Sequence, residues 1–436
     1  MGWYEESIVY QIYPLGFCGA PRENDDIVVS RIKKVTEWIP YFTDLGITAI
    51  LFNPLFESDR HGYDTRDYKE VDCRLGSNSE FKEVCQELHK KKIRVIIDGV
   101  FNHVGRGFWA FQDVLKKKEA SDYKDWFCIR FYENNSYNDG FYYEGWEGHY
   151  ELVKLSLKNP DVVEYLLDCV KGWIKQFDID GLRLDVAYCL DPEFIKRLQK
   201  SVTKWKKEFV LIGEVLFGDY NLLVNDTMLN SCTNYECYKG LYSSFNDMNL
   251  FEISYSLNRQ FGPEQYTLYK GKHLLSFLDN HDVSRIASMV KEKKQLKALY
   301  GLLFTMPGVP CIYYGSEWGQ EGHKSEGDDS LRPCFYEPVK NKLVSWIQLL
   351  CKLHQEQKIL QYGGYKNVSV QNKQFVFSRT LEGETILVAV NADGEEAVIS
   401  SGEYRGEAWN LLTKESVILN GELKLEEYEV RVLKMK

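Results

Sequence analysis

The sequence NPDVVEYLLDCVKGWIKQFDIDGLRLD, residues 159–185, joins a helix pattern directly to a strand pattern and decides the fold. Asn159 is a favoured N-cap residue, and Pro160 suits the first helical position because its φ already matches the helix. Apolar residues then recur at spacings of three and four, as on the buried face of an amphipathic helix. These residues are Val163, Leu166, Leu167, Val170, Ile174 and Phe177. The short run at 181–184 ends on Asp185 and predicts a strand that follows the helix.

The same alternation of strand and helix patterns runs through most of the chain. Strands are predicted at residues 8–13, 47–52, 94–98, 181–185, 209–212, 228–233, 273–279 and 309–314. Further helical patterns fall near residues 32–45, 79–92, 192–205, 247–260, 293–306 and 339–356. About eight strands that alternate with helices favour a closed parallel barrel over an open sheet. The predicted fold class is therefore α/β, a TIM (β/α)₈ barrel.

Two regions depart from this alternation. Residues 104–150 are rich in aromatic and polar residues and too long for an ordinary strand-to-helix loop, which predicts a small inserted domain after the third strand. Near residue 358 the helical period gives way to strand patterns separated by Gly, Asp and Asn turns. We therefore predict a barrel over 1–103 and 151–357, an inserted B domain at 104–150, and a C-terminal antiparallel β-sandwich domain at 358–436.

Acidic residues follow the predicted strands. Asp98, Asp185, Glu214 and Asp279 each end an apolar run. One acid in such a position is usually a cap for the next turn, but four in one barrel would gather at the carboxyl ends of the strands, where barrel enzymes build their active sites. Arg183 stands two residues before Asp185 and therefore shares its face of the strand.

A pair of carboxylates in different surroundings suits the cleavage of glycosidic bonds. The guanidinium of Arg183 is expected to lower the pKa of Asp185, so that this carboxylate stays an anion and attacks the anomeric carbon. The apolar residues after Glu214 are expected to keep its carboxyl group protonated, ready to donate to the leaving oxygen. His103 and His281 can donate to sugar hydroxyl groups, although a single histidine is more often structural.

These residues also carry a resemblance to the α-amylase superfamily, glycoside hydrolase family 13. The sequences DGVFNH (98–103), GLRLDVA (181–187), GEV (213–215) and FLDNHD (277–282) resemble its four signature regions in the same order. Three more segments resemble the family's first strand, a loop after its second strand, and its eighth strand. They are VYQIYP (9–14), HGYDT (61–65) and GVPCIYYG (308–315). The resemblance extends over nearly the whole chain.

The resemblance assigns roles to individual residues. It implies that Asp185 is the nucleophile, Glu214 the acid/base and Asp282 a third carboxylate that holds sugar hydroxyl groups. It also implies a set of substrate-binding residues, in which Tyr63 is a stacking platform and the Asp328–Arg332 pair grips the next sugar inward. That set is Tyr63, Asp98, His103, Arg183, His281, Asp328 and Arg332.

The chemistry implied by the resemblance requires no cofactor, and calcium is left open. Asn102 matches an Asn that ligates calcium in the family, but an Asn at this point also serves to cap a loop. Many α-amylases carry Lys-His at the third and fourth positions after the nucleophile, where this chain has Tyr188 and Cys189. Asn102 is thus a candidate ligand of a structural calcium ion.

The nearest resemblance within the superfamily is to the neopullulanase, cyclomaltodextrinase and maltogenic amylase group, through ELVKLS (151–156), which matches that group's extra region in part. The implied activity is retaining hydrolysis of mainly α-1,4-glucosidic bonds in maltooligosaccharides, cyclodextrins or starch-derived glucans. Alternatives are a glucanotransferase, an α-1,6-glucosidase, or a sucrose- or trehalose-acting enzyme. A transporter subunit and a sugar-binding module without turnover are further alternatives, which the intact set of carboxylates argues against.

Composition limits the partners and the compartment. The formal net charge of −10 argues against nucleic acid and anionic membranes, which favour a basic surface. The 11 cysteines include no C-x-x-C pair and are expected to be free thiols in a reducing compartment. Neither a signal-peptide pattern nor an apolar run long enough for a membrane span is visible, so a cytoplasmic location is expected. The pattern leaves open whether the protein is a monomer or a homodimer.

Overall fold

The computed structural model, which describes residues 2–436, has eight parallel strands arranged as a barrel. The strands are β1 (Val9–Ile12), β2 (Ala49–Phe52), β3 (Arg94–Gly99), β4 (Gly181–Leu184), β5 (Val210–Gly213), β6 (Ser231–Cys232), β7 (Leu275–Phe277) and β8 (Val309–Tyr313). Each pairs with its neighbour in sequence, and β1 pairs with β8. A parallel bridge between Thr233 and Leu275 joins β6 to β7, so the sheet closes on itself. The predicted barrel is confirmed.

Eight longer helices surround the barrel. They are α1 (Lys34–Leu45), α2 (Asn78–Lys90), α3 (Pro160–Phe177), α4 (Pro192–Trp205), α5 (Tyr235–Asn246), α6 (Phe251–Phe261), α7 (Gln295–Thr305) and α8 (Lys342–Glu356). The sequence patterns predicted all of these except α5. Its signal is present, since Asn234 caps the helix by accepting from the backbone N–H of Cys237 at 3.1 Å, and the buried Cys237, Leu241 and Phe245 repeat every four residues.

The barrel interior is a packed core rather than a channel. Side chains from six strands meet there, including Val9, Leu51, Ile96, Ile212 and Phe277. The alternate residues of the same strands point outward into the core shared with the helices. The interior is therefore filled below the carboxyl ends of the strands, and the polar residues collect above it.

The segment after β3 forms two small antiparallel sheets and a short helix. Strand His149–Lys154 lies between His103–Gly105 and Gly145–Trp146, and Ile129–Arg130 pairs with Tyr142–Tyr143. The helix is Trp109–Lys117. Lys154 pairs opposite His103, so this strand continues past residue 150 and leads back to the barrel beside the end of β3.

The chain ends in an antiparallel β domain, as predicted. Its main sheet has six strands in the order Gly364–Val370, Gln374–Leu381, Glu384–Asn391, Val430–Met435, Gly406–Asn410 and Glu415–Leu419. Ala397–Ser400 and Glu422–Leu425 form a second sheet of two strands. One face of the main sheet, with Phe377, Val388 and Val432, belongs to the same apolar core as the barrel helices, whereas the other face packs with Ile399 and Leu423 of the second sheet.

All 11 cysteines are free thiols, seven of them buried. Within residues 2–436, no helix combines the length and the apolar character that a membrane crossing requires.

Candidate active site

Three acidic residues are brought together because they end neighbouring strands of the barrel. Asp98 lies in β3, while Asp185 and Glu214 follow β4 and β5 directly. In the parallel register, Arg183 is opposite Asp98 on one side and Ile212 on the other. Side chains of Asp98, Arg183 and Asp185 therefore emerge at one level of the same rim, with Glu214 next to them.

Arg183 contacts all three carboxylates of this cluster. Its Nη1 lies 2.9 and 3.0 Å from the two carboxylate oxygens of Asp98 and 3.0 Å from Oδ1 of Asp185. Its Nη2 lies 2.8 Å from Oε1 of Glu214. Arg183 is 3% exposed, so this single guanidinium holds three buried carboxylates in place. Charge-assisted contacts of this kind are strong and geometrically specific.

The electrostatic setting of Asp185 differs from the sequence prediction. Burial raises the pKa of Asp185 well above its usual range, the charge of Arg183 lowers it, and the charges of Glu214 and Asp98 raise it further. The prediction that Arg183 lowers the pKa of Asp185 is correct for that one contact but wrong for the net direction. Since Arg183 is shared among three carboxylates, it cannot fully offset the desolvation of one of them.

The apolar residues after Glu214 predicted an apolar environment for its carboxyl group, but the environment in the structure is more polar. In addition to the contact with Arg183, its Oε2 accepts from the backbone N–H of Val186 at 3.0 Å. Val186 is in the left-handed region with φ 39° and ψ 47°, which is strained for a β-branched residue. This turn immediately after Asp185 points the backbone N–H of Val186 towards Glu214. The strained residue Val186 therefore links the chain at Asp185 to the carboxylate of Glu214.

His281 and Asp282 follow β7 and face this cluster. Nε2 of His281 lies 2.9 Å from Oδ2 of Asp282, and Nη2 of Arg332 lies 3.0 Å from Oδ1 of the same carboxylate. Burial raises the pKa of Asp282, but His281 and then Arg332 lower it more, so the net shift is downward. The Asp282 side chain is 36% exposed, which leaves part of this anion open to a ligand.

Tyr63 lies between the two halves of the site. Its ring is parallel to that of His281, with centroids 5.7 Å apart, and its hydroxyl group lies 3.1 Å from Oδ2 of Asp98 and within hydrogen-bond reach of Nε2 of His281. Gln11 donates to Nδ1 of His281 at 2.9 Å, and Asn53 donates to Asp98 at 3.0 Å. These two amides orient the site, and the sequence signal for them was a polar residue within or directly after an apolar strand.

His103 offers a buried polar atom without a partner. Its Nδ1 contacts the amide of Asn102 at 3.1 Å, whereas its Nε2 has no hydrogen-bond partner among the described residues. Burial lowers the pKa of His103 to about 3, so the ring is neutral. The ring of Trp146, from the inserted segment, lies 5.8 Å away, and its buried Nε1 is also unpartnered there. Both atoms could serve a polar ligand.

Two predicted positions lie away from the carboxylate cluster. Asp279 accepts from the backbone N–H of Ile286 at 2.7 Å and from the hydroxyl group of Ser316 at 2.8 Å, so it is a loop cap outside the cluster. Asp328 lies at the rim, 44% exposed, with Oδ2 3.1 Å from Nη2 of Arg332. The Asp328–Arg332 pair thus exists and reaches the site through Asp282.

An aromatic pair lies close to Glu214 on the surface and was not singled out from the sequence. The rings of Tyr188 and Phe217 are 5.3 Å apart, and Phe217 is 69% exposed. Tyr188 is the third residue after Asp185, and Phe217 is the third after Glu214. Exposed rings beside an acidic site can stack on the apolar face of a sugar.

The surroundings of Asn102 do not provide a carboxylate cage for calcium. The amide nitrogen of Asn102 faces His103, and its backbone carbonyl accepts from Leu155 at 3.0 Å. Across residues 2–436, three His, Cys, Asp or Glu ligand atoms converge at one place, formed by Glu57, Asp72 and Cys73. Asp72 is already paired there with Arg74 at 2.7 Å. Calcium prefers six to eight oxygen ligands, whereas this group offers two carboxylates and a thiol.

Known proteins with similar sequences and structures share this architecture. The sequence model of the α-amylase family, described as the alpha amylase catalytic domain, matches residues 11–359. A cyclomaltodextrinase of Thermoanaerobacter pseudethanolicus is 31% identical over 450 residues, covering 97% of this chain and 75% of the relative. Neopullulanase 2 of Thermoactinomyces vulgaris is 30% identical over 455 residues, covering 97% and 76%. The solved structure of a cyclomaltodextrinase superposes with a TM-score of 0.89 at 26% identity, covering 99% of this chain and 78% of that one.

These similarities agree with the architecture and the motifs. The matched region includes β2 to β8 and the three clustered carboxylates Asp98, Asp185 and Glu214. The similarity to cyclomaltodextrinases and neopullulanases confirms the group resemblance that the motifs indicated. The chain therefore belongs to the α-amylase family and is a glycoside hydrolase.

Proposed function

We propose that the enzyme hydrolyses α-1,4-glucosidic bonds in maltooligosaccharides and cyclodextrins with retention of configuration. Asp185 is the nucleophile, Glu214 the acid/base, and Asp282 the third carboxylate that binds the sugar. The observation that carries the proposal is the single buried guanidinium of Arg183, which contacts Asp185 at 3.0 Å and Glu214 at 2.8 Å. Two carboxylates held this close together suit a retaining pair, whose carboxyl groups lie about 5–5.5 Å apart.

The reaction follows from these positions. Glu214 donates its proton to the glycosidic oxygen as the bond to the anomeric carbon breaks, and Asp185 forms a covalent bond to that carbon. Glu214, now a carboxylate, then takes a proton from water, and the resulting hydroxide displaces Asp185. Asp282 and the unpartnered Nε2 of His103 are available to bind hydroxyl groups of the same glucose. These steps use side chains of the chain alone, and we propose that they need no cofactor.

The substrate assignment rests on the relatives and on the surface beside Glu214. The similar proteins are named cyclomaltodextrinase and neopullulanase. Tyr188 and Phe217 add stacking surface where the leaving sugars would lie. Ring stacking on the weakly polar face of glucose suits short or cyclic glucans, which can reach a site walled by the inserted segment.

We propose that the enzyme works in a reducing compartment such as the cytoplasm. All 11 cysteines are free, including Cys73, Cys128 and Cys334, which are partly exposed. Exposed thiols persist most readily where glutathione and thioredoxin systems keep them reduced.

The decisive experiment is the product profile from maltoheptaose, β-cyclodextrin, pullulan and starch, with the anomer of the first product followed by NMR. We expect α-anomeric maltose and glucose from maltoheptaose and β-cyclodextrin, and no activity in a Glu214→Gln variant. A β-anomeric first product would contradict retention. Chains longer than the substrate as the main product would indicate a glucanotransferase, and activity limited to the α-1,6 bonds of pullulan would indicate an α-1,6-glucosidase.

A further inference from the structure

A chain of hydrogen bonds connects Glu214 to Asp282 through two residues that the mechanism above does not use. The backbone N–H of Asp282 donates to Oδ1 of Asn280 at 2.8 Å, and Nδ2 of Asn280 donates to the hydroxyl group of Tyr235 at 3.0 Å. The hydroxyl group of Tyr235 lies 3.4 Å from Oε1 of Glu214. This series of hydrogen bonds therefore spans the site from the carboxylate of Glu214, after β5, to the backbone N–H of Asp282, after β7.

The direction of each bond follows from the first one. A backbone N–H can only donate, so the oxygen of the Asn280 amide faces Asp282 and its NH₂ group faces Tyr235. The phenolic oxygen then accepts from Asn280, and its own proton is free to be donated. The acceptor within reach is Oε1 of Glu214. At 3.4 Å the contact is long, but catalytic hydrogen bonds are often long in unliganded sites and tighten when substrate binds.

The position of Tyr235 is fixed by its neighbours. It is the first residue of α5, directly after the cap residue Asn234, whose amide exchanges hydrogen bonds with Gln260 at 2.8 and 3.2 Å. Its ring packs edge-on against Phe277 with centroids 5.0 Å apart. Helix cap and ring packing together leave the phenol little freedom, so its hydroxyl group stays aimed at Glu214.

We propose that Tyr235 is a positioning residue for the acid/base, which holds the Glu214 carboxyl group in the orientation that delivers its proton to the leaving oxygen. Asn280 makes this orientation depend on the loop that carries Asp282. The inference rests on the assignment of Glu214 as acid/base in the proposed function. It predicts that loss of the Tyr235 hydroxyl group impairs proton donation while substrate binding is retained.

The test compares two substrates with the same maltosyl group and different leaving groups. Maltotriose needs a proton on its leaving glucose, whereas the fluoride of α-maltosyl fluoride departs with little help from an acid. For Tyr235→Phe we expect kcat on maltotriose to fall about tenfold, the effect of losing one hydrogen bond to the carboxyl group that donates the proton. KM should stay nearly unchanged, and kcat on α-maltosyl fluoride should fall less than about twofold.

Tyr238→Phe is the matched control. The ring of Tyr238 packs on the same Phe277 at 5.1 Å, but its hydroxyl group has no hydrogen-bond partner within residues 2–436. We expect this variant to change both substrates by less than about twofold. An equal loss of kcat on both substrates in Tyr235→Phe, or no loss on maltotriose, would overturn the proposal.

A Glu214→Ala variant separates this inference from the proposed function. If Glu214 is the acid/base, the alanine variant should lose far more kcat/KM, which reports the first step, on maltotriose than on α-maltosyl fluoride. If it does and Tyr235→Phe shows no such preference, the positioning role of Tyr235 is wrong and the acid/base assignment stands. If Glu214→Ala lowers kcat/KM equally for both substrates, the acid/base assignment fails, and the inference about Tyr235 fails with it.

Discussion

At the scale of single residues, the site concentrates charge where water is largely excluded. Asp98, Arg183, Asp185 and Glu214 are each no more than 5% exposed. Three carboxylates share one guanidinium, so the cluster carries excess negative charge unless a carboxylate takes up a proton. A site of this kind binds positive charge as it develops on the sugar, and it does so at the expense of folding stability.

Asp185→Asn tests this trade between activity and stability. We expect kcat to fall by at least about 10³-fold, because the nucleophile is lost. Burial raises the pKa of Asp185 above that of an unfolded Asp. The folded wild type therefore loses stability as pH rises from the usual Asp range through the raised pKa. Near neutral pH the variant should therefore melt at or above the wild-type temperature, and the difference should close as pH falls to about 4. Calorimetry from pH 4 to 8 checks this.

The opposite stability result would carry a clear meaning. A melting temperature below that of the wild type at every pH would show that the contact between Asp185 and Arg183 outweighs the desolvation of the carboxylate. Residual activity above a few per cent, with deamidation excluded by mass spectrometry, would contradict the assignment of Asp185 as nucleophile.

At the scale of secondary-structure elements, the amino ends of the strands are held by a separate buried carboxylate. Asp180 precedes β4 and is 1% exposed. It accepts from His89 at the end of α2 at 2.8 Å, from Arg94 at the start of β3 at 2.9 Å, and from the backbone N–H of Val95 at 2.9 Å. Lys206, after α4, lies 3.0 Å from the same carboxylate. One side chain thus connects two strands and two helices at the end of the barrel opposite the active site.

Asp180→Asn should destabilise the barrel by about 2 kcal/mol, because it removes the buried anion that accepts from His89, Arg94 and Lys206. Burial raises the pKa of Asp180, but the contacts with His89, Val95 and Lys206 lower it more. The stabilisation is therefore present above the usual Asp range and lost as pH falls through the lowered value. The difference in unfolding free energy between the variant and the wild type should shrink below about pH 4.

Asp178→Asn is the control for Asp180. Asp178 contacts Lys206 at 2.7 Å, but its side chain is 71% exposed. An exposed ion pair contributes at most about 1 kcal/mol, so this variant should behave nearly as the wild type in urea unfolding. Equal destabilisation by both substitutions would show that burial of Asp180 is not what matters.

At the scale of the whole molecule, the barrel and the C-terminal domain share one apolar core and one buried arginine. Arg379, in the strand Gln374–Leu381, is 1% exposed. It donates to the backbone carbonyls of Thr305, the last residue of α7, at 2.8 Å and of Gly363 at 2.9 Å. Burial lowers the pKa of Arg379 to about 9. Its charge is met by the negative end of a helix dipole instead of a carboxylate.

Arg379→Lys should lower the stability of the whole chain by about 2 kcal/mol, because one ammonium group cannot reach both carbonyls in the geometry of the guanidinium. Arg431→Lys is the control, since Arg431 is 22% exposed and paired with Glu429 in the same domain. Thermal unfolding should show a clear loss for position 379 and little change at 431. Unchanged stability in Arg379→Lys would mean that the apolar core alone joins the two domains.

Much of this protein could be predicted from its sequence, because the periodicity of apolar residues and the residues at strand ends are local properties of the chain. The strand that ends at Asp185 and the helix capped by Asn159 were both readable in this way. So were the barrel and the C-terminal β domain, since each buried face repeats with the period of its element. Helix α5 was missed although Asn234 marks its start, because its aromatic and polar residues obscure the apolar face.

Tertiary structure decided everything that depends on distances between strands. Asp279 and Asp185 follow the same sequence pattern, yet one caps a loop and the other lies against Arg183. The sharing of Arg183 among three carboxylates, and hence the raised pKa of Asp185, arises only when neighbouring strands align in register. The contact of Tyr235 with Glu214 likewise joins residues on different elements. Such properties come from closing the barrel, since Coulomb energy and desolvation depend on three-dimensional position and not on order along the chain.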